Sequence, residues 1–149
     1  MNTDYIVSEV QLKYRPQPIT ETIHSAKEIH SFLIKRVYDE DTIGYKETFK
    51  LLLLNNANKI IGYTTVSEGG LTSTLVDVRV VMQTALVCNA TSIILTHNHP
   101  SGNPRPSTLD DNLTKKIKSA CELLDIRLLD HIIVTPYDSY YSYNDEGSL

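Results

Sequence analysis

The sequence predicts a single α/β domain with a mixed central β-sheet flanked by helices. Three observations carry this. Two short apolar runs, Phe49–Leu54 and Thr91–Thr96, have the length and composition of strands covered on both faces. Three longer stretches place apolar residues at helical spacing. The length of 149 residues, with 41% hydrophobic and 21% charged, is that of one ordinary globular domain. We therefore read residues 1–149 as one domain, with an N-terminal strand and helix in 1–40 and the core in 41–149. There is no repeat, low-complexity tract or linker.

Taken in order, Ile6 to Leu12 alternates and is ended by Arg15-Pro16-Gln17-Pro18, which predicts an edge strand followed by a rigid connector. Between Thr20 and Val37 the residues Ile23, Ala26, Ile29, Leu33, Ile34 and Val37 predict a helix of about five turns. Thr48–Asn55 reads as a central strand, and Lys59–Ser67 as its β-branched hairpin partner across the turn residues Asn55-Asn56-Ala57-Asn58. A loop follows from Ser67 to Val76. Asp77 then caps a helix with Val78, Val81, Met82, Ala85 and Leu86 on one stripe. After the buried strand Thr91–Thr96 comes His97-Asn98-His99-Pro100-Ser101-Gly102-Asn103-Pro104-Arg105-Pro106-Ser107, the most unusual segment of the chain. Behind it lies an amphipathic helix with Leu109, Leu113, Ile117, Ala120, Cys121 and Leu124 inward. The last strands are Arg127–Thr135 and Tyr140–Tyr143.

Composition removes several classes of function. A formal charge of −4 and a pI near 5.7 provide no diffuse basic field, so direct nucleic-acid binding is not supported. Two cysteines, Cys88 and Cys121, are too few for a four-cysteine zinc site and make a disulfide framework improbable. Both fall on apolar helix stripes and read as small core residues. The first residues lack the features of a signal peptide, and no apolar run reaches about 18 residues. A cytoplasmic protein with no membrane association is the expectation.

The chemistry concentrates at the end of the strand Thr91–Thr96. His97 and His99 are two apart, so on an extended chain both imidazoles point to one side and suit a zinc ion. Asp110, opening the next helix, is the nearest acidic candidate for a third ligand. Two histidines and a carboxylate leave one tetrahedral position for water, which marks a catalytic zinc. Zinc lowers the pKa of that water from about 15.7 to about 7. Glu47 is the candidate general base, because it precedes the central strand and shares parity with Phe49, Leu51 and Leu53. Each residue also has a plainer reading. Ser107 to Asp110 is an acidic capping box, and Glu47 alone would be a solvated strand residue. His24 and His30 lie six apart on different helix faces and do not form a ligand pair. His131, in Asp130-His131-Ile132-Ile133-Val134, reads as a satisfied structural histidine.

His97-Asn98-His99, Ser107 and Asp110 together fit the H-x-H-x(7)-S-x(2)-D pattern, and on those residues the chain resembles the JAMM metalloproteases, also called the MPN+ or JAB domain. Within that superfamily it resembles the RadC-like branch. Supporting residues are Glu47-Thr48-Phe49, Glu68 to Leu71, Val78-Arg79, Asn89-Ala90, Thr96 to Gly102, Thr114 and Leu128 to Val134. The resemblance covers the chain from about residue 25 onward. It implies a JAB/MPN fold with a cytidine-deaminase-like layout and one Zn2+ held by His97, His99 and Asp110. It further implies Glu47 as catalytic base and Ser107 as a catalytic hydroxyl that supports the oxyanion. Asp111 is a rival to Asp110 but breaks the spacing. Relatives in this branch are linked nominally to DNA repair and join a helix-hairpin-helix module to the domain; no such signature precedes Glu47.

Two functions follow from the resemblance. One is a zinc metallohydrolase acting on a peptide or isopeptide bond of a protein or peptide substrate. The other is a non-catalytic JAB-fold binding module in a DNA repair or mobile-element setting. Zinc deamination is disfavoured by the absence of the H-x-E and P-C-x-x-C signatures, and a zincin by the absence of H-E-x-x-H. The segment Tyr137 to Tyr143 holds four tyrosines. It suits an edge strand that pairs with a second copy, giving a homodimer, or with an extended substrate; it equally suits tyrosines that simply cover the sheet edge.

Overall fold

The computed structural model of the chain describes residues 7–18, 21–69 and 75–149. The strands are β1 (Thr48–Leu54), β2 (Ile60–Glu68), β3 (Ser92–Asn98), β4 (Arg127–Val134) and β5 (Tyr140–Ser142). They form one mixed sheet in the order β2-β1-β3-β4-β5. β1 is antiparallel to both β2 and β3, β3 is parallel to β4, and β5 returns antiparallel to β4. A parallel pair needs a long crossover. The helix α3 (Thr108–Leu123) supplies it between β3 and β4. The β1–β2 hairpin is closed by Asn55, whose Oδ1 accepts from the backbone N–H of Ala57 and Lys59, and by Asn58 in the left-handed region at φ 57°.

Alternation along the strands divides the core in two. Leu52, Leu54, Ile94, Ile132 and Val134 face α1 (Ala26–Phe32), while Phe49, Leu51, Leu53, Ile93 and Leu95 face α2 (Val78–Val87) and α3. The predicted single α/β domain with a mixed sheet between helices is what forms. Among the described residues no helix is long and apolar enough to cross a membrane.

The N-terminal region departs from expectation. Residues 7–18 form no strand, and Val7, Val10 and Leu12 are 87%, 83% and 78% exposed, so the alternating pattern there has no face to bury; Ile6 lies outside the described residues. The predicted five-turn helix starts late. Ser25 is extended and its hydroxyl accepts from the backbone N–H of Glu28, which sets the helix start, while Thr22 and Ile23 bond instead to the hairpin at Lys59 and Asn58. Thr20 is outside the described residues, and beyond Phe32 the helix widens into a π turn over Leu33–Val37. The predicted helix stripes were also too wide. Leu86, Leu109 and Leu124 are 51%, 74% and 43% exposed. At about 100° per residue Leu109 sits about 140° around the helix from the buried Thr114, and Leu124 is already the C-cap.

Candidate metal centre

The site grows from the pairing of β1 with β3. Phe49 lies opposite His97 in the antiparallel register, so Glu47, two residues earlier on the same face, falls beside His99. His97 is the last residue but one of the buried strand β3, its ring stacked at 5.8 Å on Phe49, and His99 follows directly after the strand. The turn behind His99 is built on the Gly102 N–H donating to the His99 carbonyl, with Gly102 at φ 89°, a region that disfavours any side chain. It brings the Asn103 carbonyl to 2.8 Å from His99 Nδ1. A carbonyl only accepts, so Nδ1 carries the proton and, in neutral His99, Nε2 is bare.

Asp110 enters from α3. Ser107 and Asp110 form a reciprocal capping box: Ser107 Oγ accepts from the Asp110 N–H at 3.1 Å and Asp110 Oδ2 accepts from the Ser107 N–H at 2.8 Å. The cap fixes the carboxylate against both imidazoles. Asp110 Oδ1 is 3.3 Å from His97 Nε2, and Oδ2 is 3.4 Å from His99 Nε2. The two Nε2 atoms are 3.0 Å apart.

Glu47 Oε1 stands farther off, 3.8 Å from His97 Nε2. Ligand atoms of all four residues lie within 4.8 Å of one another. Two atoms bound at about 2.0–2.1 Å to a tetrahedral Zn2+ are about 3.3 Å apart. The separations among His97, His99 and Asp110 match that spacing, and Glu47 lies just outside it. The cluster can therefore hold a metal ion, and the donor set of imidazole and carboxylate suits zinc.

The electrostatics agree. Burial would raise the Asp110 carboxyl, yet the two imidazoles and the Ser107 N–H hold it well below the usual range. Glu47 moves the other way: its burial raises it, and the two imidazoles only partly counter this. Burial would lower His99, but the Asp110 carboxylate and the Asn103 carbonyl lift it above its ordinary value.

Glu47, His97, His99 and Asp110 thus converge as expected. Ser107 lies beside them as the N-cap of α3. The rival Asp111 points away, accepting from Tyr143 Oη at 2.8 Å. His24 does not reach the cluster, His30 is buried on the opposite face, and Cys121 is a core residue while Cys88 is partly buried at the end of α2. Of the four tyrosines, Tyr143 is buried and stacked on His131, whereas Tyr137 is 74% exposed.

Two residues that support the site, Asn98 and Thr114, carry roles that the sequence does not assign them. Asn98 is 1% exposed; its Oδ1 accepts from the Thr48 N–H and Oγ1, and its Nδ2 donates to the carbonyls of Ile43 and Lys46. It ties down the chain on either side of Glu47. Thr114 lies 2.6 Å from His131 Nδ1, and His131 Nε2 lies 2.8 Å from His97 Nδ1. The spacing of Thr114 one helical turn after Asp110 was the available signal.

An H-x-H pair leaving a central strand, with a capping carboxylate at the head of the crossover helix, is the layout of a JAB/MPN domain. The chain belongs to the RadC-like JAB domain family, whose profile matches residues 23–148. It is 52% identical over 101 residues to the UPF0758 protein of Flavobacterium johnsoniae, covering 68% of this chain and 44% of that one. The UPF0758 protein of Streptococcus gordonii is 47% identical over 117 residues, 78% of this chain and 51% of its own. That of Actinobacillus succinogenes is 33% identical over 149 residues, 99% of this chain and 67% of its own. The chain spans about half the length of the first two relatives.

Proposed function

We propose that the chain is a zinc-dependent hydrolase that cleaves a peptide or isopeptide bond in a protein or peptide substrate. The observation that carries this is the geometry of the donor set: two imidazole nitrogens 3.0 Å apart, each 3.3–3.4 Å from one oxygen of the Asp110 carboxylate, with a raised carboxyl, Glu47, 3.8 Å from His97 Nε2. His97, His99 and Asp110 would hold one Zn2+. When bound, the ion supplies Lewis acidity and water activated near neutral pH.

Glu47 then accepts the proton of the attacking water and returns it to the leaving nitrogen. Its raised pKa suits both halves of that exchange, since a general base works best near the operating pH. Ser107 supports the oxyanion of the tetrahedral intermediate. Its Oγ accepts the capping bond, so its own proton remains to be donated. Asn98 and the capping box hold base and ligand in register while this happens.

The test is metal content by elemental analysis alongside cleavage of peptide and isopeptide libraries read by mass spectrometry. The parent should carry one equivalent of zinc and cleave. Glu47→Gln should keep the zinc and lose about 10²–10⁴-fold in rate. His97→Ala should lose the metal. Full turnover by Glu47→Gln would remove it as the base, and zinc binding with no cleavage across the libraries would favour the binding-module reading instead.

A further inference from the structure

We infer that Thr114 and His131 are positioning residues that lock His97 in the tautomer whose Nε2 is bare. The argument is a count of protons along a closed chain. The Thr114 hydroxyl has one proton, and its Oγ1 lies 2.7 Å from the backbone carbonyl of Asp110, an atom that only accepts. The proton is therefore directed there. His131 Nδ1, 2.6 Å from the same Oγ1, must be the donor of that second bond.

His131 is 0% exposed, stacked on Tyr143 at 4.9 Å and edge-on to Phe49 at 5.6 Å. A cationic ring sealed there would be costly. Neutral, with its proton on Nδ1, it offers a bare Nε2. His97 Nδ1, 2.8 Å away, donates to that atom, and the lone pair of His97 Nε2 is left facing His99 and Asp110.

This chain starts on the backbone of one candidate ligand, Asp110, and ends on the ring of another, His97. It links α3 to β3 without passing through the site itself. Partners of metal-binding histidines commonly fix ring orientation and tautomer, and their loss typically costs 10–100-fold in metal affinity. Here the partner is another histidine, and its own orientation depends on one hydroxyl.

The inference rests on the metal-site reading, but its first test needs no metal. In the metal-free, 15N-labelled full chain, long-range proton–nitrogen correlation of the imidazole rings should show His131 and His97 both protonated at Nδ1. A proton on His131 Nε2 overturns the assignment, whatever the chain does with zinc. Thr114→Val removes the hydroxyl at nearly constant volume and should mix the tautomers of His97 and weaken zinc binding about 10–100-fold, with Thr114→Ser restoring both. Unchanged zinc affinity and ring signals in Thr114→Val would refute the role. If the valine variant does not fold, the parent spectrum and that of Thr114→Ser decide the matter alone.

Discussion

Two buried histidines lie on opposite faces of the same sheet, and they are buried in different ways. His131, on the face of α2 and α3, has both ring nitrogens bonded, to His97 at 2.8 Å and Thr114 at 2.6 Å. His30, on the face of α1, is 8% exposed and stacked at 4.3 Å on Tyr140, and its buried Nε2 has no partner among the described residues. Both rings fill space. Only the first transmits an orientation, because direction in a low-dielectric interior comes from hydrogen bonds and not from contact area. The surroundings of His131 are thus specified atom by atom, and those of His30 by shape.

The largest effect that would break this contrast comes from Asn98, which points away from the site but is fully paired. Asn98→Ala leaves the Thr48 N–H and the carbonyls of Ile43 and Lys46 without their partner. Buried groups so orphaned cost about 1–3 kcal/mol each before relaxation, and the segment around Glu47 can admit water, so we expect a loss of about 3 kcal/mol in chemical denaturation. Zinc content should hold, since none of the three proposed ligands is bonded to Asn98. A loss under about 0.5 kcal/mol would show that the clamp does not govern this turn.

Why the sequence exposed one part of this and hid the rest follows from where each signal is encoded. His97, His99 and Asp110 were legible because two local periods, the strand's alternation and the capping box, each place a side chain without any knowledge of the fold. Glu47 was legible by parity alone, since it shares a face with Phe49 and Leu51. The relay was not, because Thr114, His131 and His97 come from a helix and two strands and meet only through the parallel register of β3 with β4. The N-terminal stretch misled for the converse reason. Its alternation from Val7 to Leu12 is a local pattern with no strand opposite it among the described residues, and a strand needs a neighbour to bond. The early helix start failed because Thr22 and Ile23 found bonding partners on the hairpin that competed with helix formation.

Acidification sharpens the comparison next. Burial pushes the pKa of both His131 and His30 below the ordinary value of about 6.5. A base with a depressed folded-state pKa is protonated first in the unfolded chain, so between its two pKa values the unfolded state binds more protons and stability rises with pH. Each histidine's contribution is therefore fully present above about 6.5 and is lost as pH falls below it. His30→Phe should flatten the fall in melting temperature below that point only in part, because the stronger depression belongs to His131. A slope that vanishes in His30→Phe would assign the acid sensitivity to the wrong face.

The smallest effect is the most diagnostic of shape against pairing. At neutral pH His30→Phe keeps an aromatic ring on Tyr140 while removing a buried nitrogen that no group among the described residues satisfies. Removing an unpaired polar atom relieves a desolvation cost, and the slightly larger ring spends part of that gain on crowding in a packed interior. The net expectation is stabilisation of up to about 1 kcal/mol, read as a rise in the denaturation midpoint with unchanged slope. Zinc affinity should not move, because Leu52, Ile94 and Ile132 of the far face separate this ring from the site. Destabilisation beyond about 1 kcal/mol would mean that His30 is held by a bond after all, and the far face would then be specified in the same way as the near one.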